Sequence, residues 1–326
     1  MNNKNSKVIA MGNAIMDIII KCDESVLRNN DLIKGSMTLI DEQMAIKLSQ
    51  LNIAKVDCGG SAANTIYCMS QLSSNEFEFI GKVGNDDFGH DFIRKINSQN
   101  IKFYSHMDER SQTATSFIIV TPDGQRTMCT NLGCASNINE DDIIEDSFAH
   151  AQLLYLEGYL WDKPNAIRAI EKAIRFAKKY KLKIALSLSD SFCVKRHKLD
   201  FLRIINDDIN ILFCNEDEML ALSDKKYFDR NEVQFFFKKF DNLISVVTRG
   251  SKGSIVINND IYNSCPPHIA KNITDTTGAG DIFAAGFLHK FLTDDSLVNS
   301  CDFGNKLASR IIQKYGARFN PSDILE

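Results

Sequence analysis

The stretch TDTTGAGD, Thr274 to Asp281, sets two glycines and an aspartate directly ahead of the apolar run Ile282 to Leu292. Gly278 and Gly280 permit backbone conformations closed to other residues, and the apolar spacing that follows is that of a helix. The N–H groups of Gly278, Ala279 and Gly280 are therefore expected to converge near a helix start, a place that attracts anions. Asp281 would lie in the first turn, where the helix dipole favours its ionised form. A store for phosphate gains nothing from a fixed carboxylate, since the two negative charges repel. The pairing is productive if the carboxylate takes a proton from a hydroxyl that attacks phosphorus while the backbone donors steady the charge on the transferred group. On this reading Asp281 is the general base of phosphoryl transfer and Gly278, Ala279 and Gly280 form its anion hole. The same residues also fit an aspartate capping a buried helix after a flexible turn, and taken alone the stretch leaves both open.

Such a turn needs a scaffold, and the pattern of the chain predicts one. Short β-rich runs at Val8–Met11, Phe77–Ile80, Leu153–Leu156, Lys183–Ser187, Ile209–Phe213 and Ile244–Thr248 alternate with helical patterns, the mark of a sheet wrapped by crossover helices. The clearest helix carries Ala166, Ile170, Ala173, Ile174 and Ala177 at helical spacing. Two regions break the rhythm. Ile18–Lys21 and Met37–Ile40 read as short strands, and TATSFIIVTPDGQRTMCTNLG reads as a hairpin turning at Pro122, Asp123 and Gly124. No helix of useful length is expected in either. Both are expected to form a small accessory sheet over the main domain, with a pair of irregular loops as the alternative.

At 326 residues the chain holds one large α/β domain with an insertion or two ordinary ones. Thirty-eight basic side chains against forty-two acidic ones leave a net charge of −4, which argues against a nucleic-acid surface. The nine cysteines are odd in number and form no C-x-x-C, as expected of reduced thiols, mostly buried, in a cytoplasmic protein. No apolar run approaches a membrane span, and the N-terminus lacks the features of a signal peptide. There is no G-x-x-x-x-G-K-[ST], no G-x-G-x-x-G and no H-x-x-x-H, which disfavours a P-loop enzyme, a dinucleotide fold and a zinc site.

Asp275, Thr276, Gly278, Ala279, Gly280 and Asp281 match D-T-x-G-A-G-D, and the stretch resembles the C-terminal signature of the PfkB, or ribokinase-like, family of carbohydrate and nucleoside kinases. GNAIMD near the N-terminus resembles that family's first substrate segment, which implies that Asn13 and Asp17 meet sugar hydroxyls; a buried carboxylate can accept from two vicinal hydroxyls at once. CGGSAANT resembles its paired-glycine motif, implying substrate contacts from Gly59, Gly60, Ser61 and Asn64; a plain strand-to-helix turn is the competing reading of the glycines. NEDE resembles N-x-x-E, implying Asn215 and Glu218 near the triphosphate, with Glu218 organising Mg²⁺ through water. Glu216 and Asp217 read as solvated helix N-terminal acids. VVTRGSKGSIV resembles the nucleotide loop, with Thr248, Gly250, Ser251 and Gly253 in place, and GNKLASRIIQKYGA resembles the segment flanking adenine, with Asn305 as contact. The family's monovalent-cation site would put Asp275, Thr277 and Gly316 around K⁺.

The resemblance spans nearly the whole chain and implies a ribokinase-like α/β fold. Its main sheet would be doubly wound and mostly parallel, in a single domain over residues 1–326. The lid sheet would come from insertions at about 14–45 and 105–133. GNAIMD with GGSAANT is closer to bacterial adenosine-kinase-like members than to ribokinases or fructokinases. LYLEGYLWD points the same way, with Glu157 just beyond a strand end where ligands bind in open α/β sheets. A surface carboxylate is the competing reading of Glu157. Tyr159 and Trp161 could stack on a purine, though aromatics in such runs are more often core. The expectation is an ATP- and Mg²⁺-dependent kinase of the adenosine 5′-hydroxyl. A kinase of a free sugar such as ribose or fructose is the alternative, and a catalytically silent nucleoside sensor stands behind it. Partners are expected to be small molecules only, with neither membrane nor nucleic acid, and the chain to be a monomer or homodimer.

Overall fold

The computed structural model describes residues 7–293 and 295–319. In chain order its strands and α-helices are β1 (Lys7–Met11), β2 (Ile15–Lys21), α1 (Glu24–Asn29), β3 (Met37–Leu39), α2 (Glu42–Ser49), β4 (Ile53–Gly59), α3 (Ser61–Leu72), β5 (Glu76–Ile80), α4 (Asp87–Asn97), β6 (Ile101–Tyr104), β7 (Ala114–Val120), β8 (Arg126–Asn131), β9 (Ala151–Glu157), α5 (Pro164–Lys179), β10 (Lys183–Ser187), α6 (Ser191–Asp207), β11 (Ile211–Asn215), α7 (Glu216–Ser223), α8 (Arg230–Phe237), β12 (Ile244–Thr248), β13 (Ser254–Asn258), β14 (Ile261–Cys265), α9 (Ala279–Leu292) and α10 (Leu297–Ile311).

Nine strands form the main sheet in the order β14-β13-β12-β11-β10-β9-β1-β5-β6. All neighbours run parallel except β12–β13 and β13–β14. Parallel strands buried on both faces need apolar residues at nearly every position, and KVIAM, LLYLE and KIALS supply them. Helices α5, α6, α7 and α8 cover one face; α3, α4, α9 and α10 cover the other. The chain thus has the ribokinase-like architecture expected from its sequence. Eight of the nine cysteines are buried and all are free. Among the described residues no helix is long and apolar enough to cross a membrane.

The second sheet has five strands, in the order β3-β8-β7-β2-β4. It alternates with period two, as a sheet with two different faces must. Ile18, Ile20, Phe117, Ile119 and Cys129 pack outward against Leu27 of α1 and Leu48 of α2, while Ile15, Asp17, Ser116, Ile118, Met128 and Thr130 face a cavity between the sheets. The hairpin of β7 and β8 turns through Thr121–Gln125 as expected. Two features correct the sequence reading. The run Ile53–Gly59 is a strand, the short helix α1 lies between the runs Ile18–Lys21 and Met37–Ile40, where none of useful length was expected, and α2 follows just beyond Ile40. Both helices form because the outward apolar residues of β2 and β7 need cover, which two short amphipathic segments provide.

Candidate active site

Helix α9 opens at Gly278, whose φ of +74° is left-handed and whose added Cβ would lie 2.4 Å from the Ala317 Cβ. Only glycine meets both constraints. The first helical bond runs from the Ile282 N–H to the Gly278 carbonyl, so the N–H groups of Ala279, Gly280 and Asp281 lie ahead of the helical ladder. One of them is not free: the Ala279 N–H donates to the Thr276 carbonyl at 3.2 Å. A Cβ on Gly280 would meet nothing within 4 Å; no packing demand of the protein explains that glycine.

Asp281 is held from α3. The Ser61 hydroxyl donates to its Oδ1 at 2.7 Å and the Asn64 amide to its Oδ2 at 3.2 Å. Burial pushes its pKa up to about 6, against the pull of those two hydrogen bonds and the Arg318 charge. The group is therefore largely ionised at neutral pH yet close to its titration point, as a proton acceptor should be.

The turn before α3 explains the paired glycines. Gly60 has φ +95° and no room for a Cβ, which would sit 2.2 Å from the Asn13 carbonyl; a Cβ on Gly59 would meet the Asp17 carboxylate at 2.3 Å. Asp17 thus lies against the backbone of the β4–α3 turn. Burial raises its pKa to about 7, with Asp57 and Asp281 raising it further and Arg318 and Arg126 opposing.

Glu157, the last residue of β9, is 1% exposed, so its reading as a surface carboxylate is overturned. Oε1 accepts from the Asn13 N–H at 2.8 Å and from its side-chain amide at 2.7 Å, and Oε2 accepts from the Ala62 N–H at 2.8 Å. It ties β9 to the segment after β1 and to the start of α3. Burial raises its pKa to about 7 despite those donors.

Two cavities meet at the start of α9. One, about 460 Å³, is lined by Thr248, Gly250, Ser251, Gly253, Asn305, Thr276, Ala279 and Gly280. The other, about 710 Å³, is lined by Asn13, Asp17, Gly60, Ser61, Asn64, Glu157, Thr276, Gly278 and Asp281. Of the residues read from the sequence, those for the nucleotide other than Asn215 and Glu218 line the first cavity and those for the acceptor other than Gly59 line the second, with Asp281 on the acceptor side. A phosphoryl group passing between them would cross the N-terminus of α9.

Asn215 and Glu218 line neither cavity. Asn215 caps α7, accepting from the Glu218 N–H at 2.8 Å, while Glu218 takes the Asn215 N–H at 3.0 Å and its side-chain amide at 2.6 Å. Glu218 is 4% exposed, and burial together with Asp190, Asp217 and Asp281 raises its pKa to about 7. Among the described residues no three acidic, histidine or cysteine side chains converge to hold a metal ion, and both Glu218 oxygens are engaged by Asn215, so Glu218 would meet Mg²⁺ only through water. Glu216, read as a solvated acid, instead pairs with Arg249 at 2.8 Å.

The K⁺ set fits less well. Asp275 accepts from the Thr277 N–H at 3.0 Å and the Gly316 N–H at 2.7 Å, and its Oδ2 lies 2.8 Å from Arg126 of β8. A guanidinium already stands where a monovalent cation would compensate the carboxylate.

The chain matches the family model described as pfkB family carbohydrate kinase over residues 6–324. It belongs to the PfkB family. Adenosine kinase from Sinorhizobium meliloti superposes with a TM-score of 0.90 at 35% identity, covering 98% of each chain. Among curated relatives, the adenosine kinase of Saccharomyces cerevisiae is 25% identical over 97% of each chain. The ATP-dependent ribose-1-phosphate kinase of Halopiger xanaduensis is 27% identical over 81% of this chain and 83% of the relative. The protein is a PfkB-family kinase, a phosphotransferase that uses ATP.

Sequence reasoning missed several residues of this PfkB kinase's site. Arg126 reaches Asp275 from the smaller sheet, and Arg318 bonds Asn64 from the C-terminal segment. Phe192, 69% exposed, and Arg196 line the acceptor cavity from α6. Of the two aromatics considered for stacking, Tyr159 lines that cavity, whereas Trp161 is 2% exposed and packs on Phe201 as core. A signal existed for one: Arg318 directly follows the Gly316–Ala317 end of the matched C-terminal segment, whose Ala317 sits against Gly278.

Proposed function

We propose that this kinase transfers the γ-phosphoryl group of ATP to the 5′-hydroxyl of adenosine. The observation that carries the reading is the two-part character of the acceptor cavity. Its floor is polar, with Asn13, Asn64 and Asp281 and with Asp17 of β2 beside them, and its roof is mainly apolar, with Ile15, Met37, Leu39, Ile118, Met128 and Leu132 of the smaller sheet and its flanks, joined by Phe192 and interrupted by Ser116 and Thr130. A ribose engages the floor and a flat base fills the apolar remainder. A free pentose would leave that remainder wet. The adenosine kinases among its relatives support the same choice.

In this reading Asp17 accepts from the ribose diol, Asn13 and Asn64 supply further polar contacts, and Glu157 holds Asn13 in place rather than touching the substrate. ATP occupies the smaller chamber, with Thr248, Gly250, Ser251, Gly253 and Asn305 around its nucleoside end. Asp281 removes the 5′-hydroxyl proton, and the N-terminal N–H groups of α9 steady the migrating charge. Mg²⁺, when bound, would neutralise the triphosphate, and Glu218 is the residue that would meet its water shell. No step is assigned to K⁺. The five-stranded sheet acts as a lid whose approach excludes water from the transfer.

One coupled ADP-release assay tests the reading against its competitors, using ATP, Mg²⁺ and a panel of adenosine, inosine, guanosine, ribose, fructose and ribose 1-phosphate. Adenosine is expected to drive turnover. Turnover on a sugar or sugar phosphate alone would replace the acceptor, and adenosine binding with no ADP release would make the protein a sensor.

A further inference from the structure

We infer that Arg318 is a positioning residue for the transfer base, acting through Asn64; the inference rests on Asp281 being that base. The Arg318 Nε donates to the Asn64 Oδ1 at 3.0 Å, and the Asn64 amide nitrogen donates to the Asp281 Oδ2 at 3.2 Å. A primary amide has two ends of nearly equal shape and opposite polarity. Turned over, Asn64 would set its NH₂ against a guanidinium donor and its oxygen against the Asp281 carboxylate, two repulsions at once. Arg318 removes that option and keeps a donor aimed at the base.

Arg318 is itself held. Its guanidinium lies 4.8 Å from the Tyr67 ring centroid, and Tyr67, one helical turn beyond Asn64 on α3, donates its hydroxyl to the Phe319 carbonyl at 3.2 Å. Its Nη2 is buried without a hydrogen-bond partner, beside a pocket of about 30 Å³ that it shares with Asp17, Asp57 and Thr277.

The charges around Asp281 make this guanidinium consequential. Asp281 raises the pKa of Asp17 of β2, of Glu157 and Tyr155 of β9 and of Glu218 of α7, and Ser61 and Asn64 of α3 bond to it. Arg318 is the cation that holds down the pKa of Asp281, and it lowers that of Asp17 as well.

The test is R318M, R318Q and R318K beside D281N, read in two ways. With ATP, Mg²⁺ and adenosine, R318M is expected to lose about 10- to 100-fold in kcat, and the acid limb of its pH profile moves to higher pH while KM for ATP holds. The second reading needs no substrate. In ¹³C NMR, the Asp281 carboxyl, assigned by its absence in D281N, titrates at higher pH in R318M and R318Q and near the wild-type position in R318K. Should R318M fail to fold, R318Q against R318K carries the comparison. An unmoved carboxyl titration in R318Q overturns the inference, whatever its turnover. If D281N retains full turnover, the base reading fails instead, and the two failures are told apart.

Discussion

The floor and the lid of the acceptor cavity are built on opposite principles. On the floor, Asp281, Asn64, Ser61, Glu157 and Asn13 are locked to one another by hydrogen bonds of 2.7–3.2 Å. On the lid, Met37 and Leu39 are 42% and 53% exposed and β3 is three residues long. The floor holds its groups in one geometry at the cost of burying carboxylates, which raises their pKa values. The lid presents apolar side chains that no other part of the described chain covers fully. Chemistry that needs fixed distances belongs on the first, and recognition completed only when a ligand arrives belongs on the second.

The sharpest way to break this contrast is at the base. Asp281→Asn preserves shape and both hydrogen-bonding neighbours but cannot take a proton. We expect kcat to fall by about 10²–10⁴-fold with the adenosine dissociation constant changed only modestly, measured by calorimetry beside steady-state kinetics. Loss of binding in step with loss of turnover would show that Asp281 holds the ligand instead of reacting with it.

The next effect lies where floor and lid touch. Arg126 of β8 reaches the buried Asp275 carboxylate in the turn before α9, a charge pair spanning the two layers. Arg126→Met leaves Asp275 buried with only two N–H donors, and breaking a buried pair costs about 3–5 kcal/mol. We expect a lower Tm together with a clear fall in kcat. A Tm drop without a kinetic effect would mean that the pair serves the fold and not the site.

How far each layer was legible follows from the same contrast. KIALS and ISVVT were readable as strands to the residue, because a strand buried on both faces must be apolar throughout. IAKVDCG was not, because β4 is a lid edge whose first three residues are exposed, and its mixed pattern matches no period clearly. The Asp281 turn could be read because its glycines, carboxylate and helix are contiguous. Glu157 could not be placed, because what makes its burial tolerable is the Asn13 and Ala62 donors, 144 and 95 residues away. Arg126 reads from sequence as an ordinary residue after a hairpin turn, and nothing local announces Asp275 as its partner.

A smaller effect is expected on the lid itself. Leu39→Ala removes apolar surface that is half exposed without ligand, so stability should change little. KM for adenosine should rise severalfold while kcat and KM for ATP stay near wild type, since contacts made equally in ground and transition states act on KM alone. A large loss of kcat would mean that the lid helps to assemble the reacting geometry and that the division of labour between layers is wrong.

The smallest effect separates the layers by pH. Asp17 and Glu157 are raised to about 7, as is Glu218, and Asp281 to about 6, in each case chiefly by burial. Carboxyls with raised folded-state pKa values bind more protons folded than unfolded between about pH 4 and 7, so stability falls as pH rises through that window. Asp57, Asp162 and Glu216 are lowered overall by the cations and donors they bond, although burial opposes it. Their contribution is present above the unfolded-state value and is lost only at more acid pH. The two trends place the maximum of Tm on the acid side of neutrality, with Tm at pH 6 a few degrees above that at pH 8. Lowering the burden on the floor should flatten the slope: Glu157→Gln removes one titrating group while keeping an oxygen for Asn13 or Ala62. Calorimetric scans of both proteins from pH 5 to 8 read the difference. Equal slopes would mean that Glu157 is ionised in the folded state well below pH 7 and that its burial costs less than the geometry indicates.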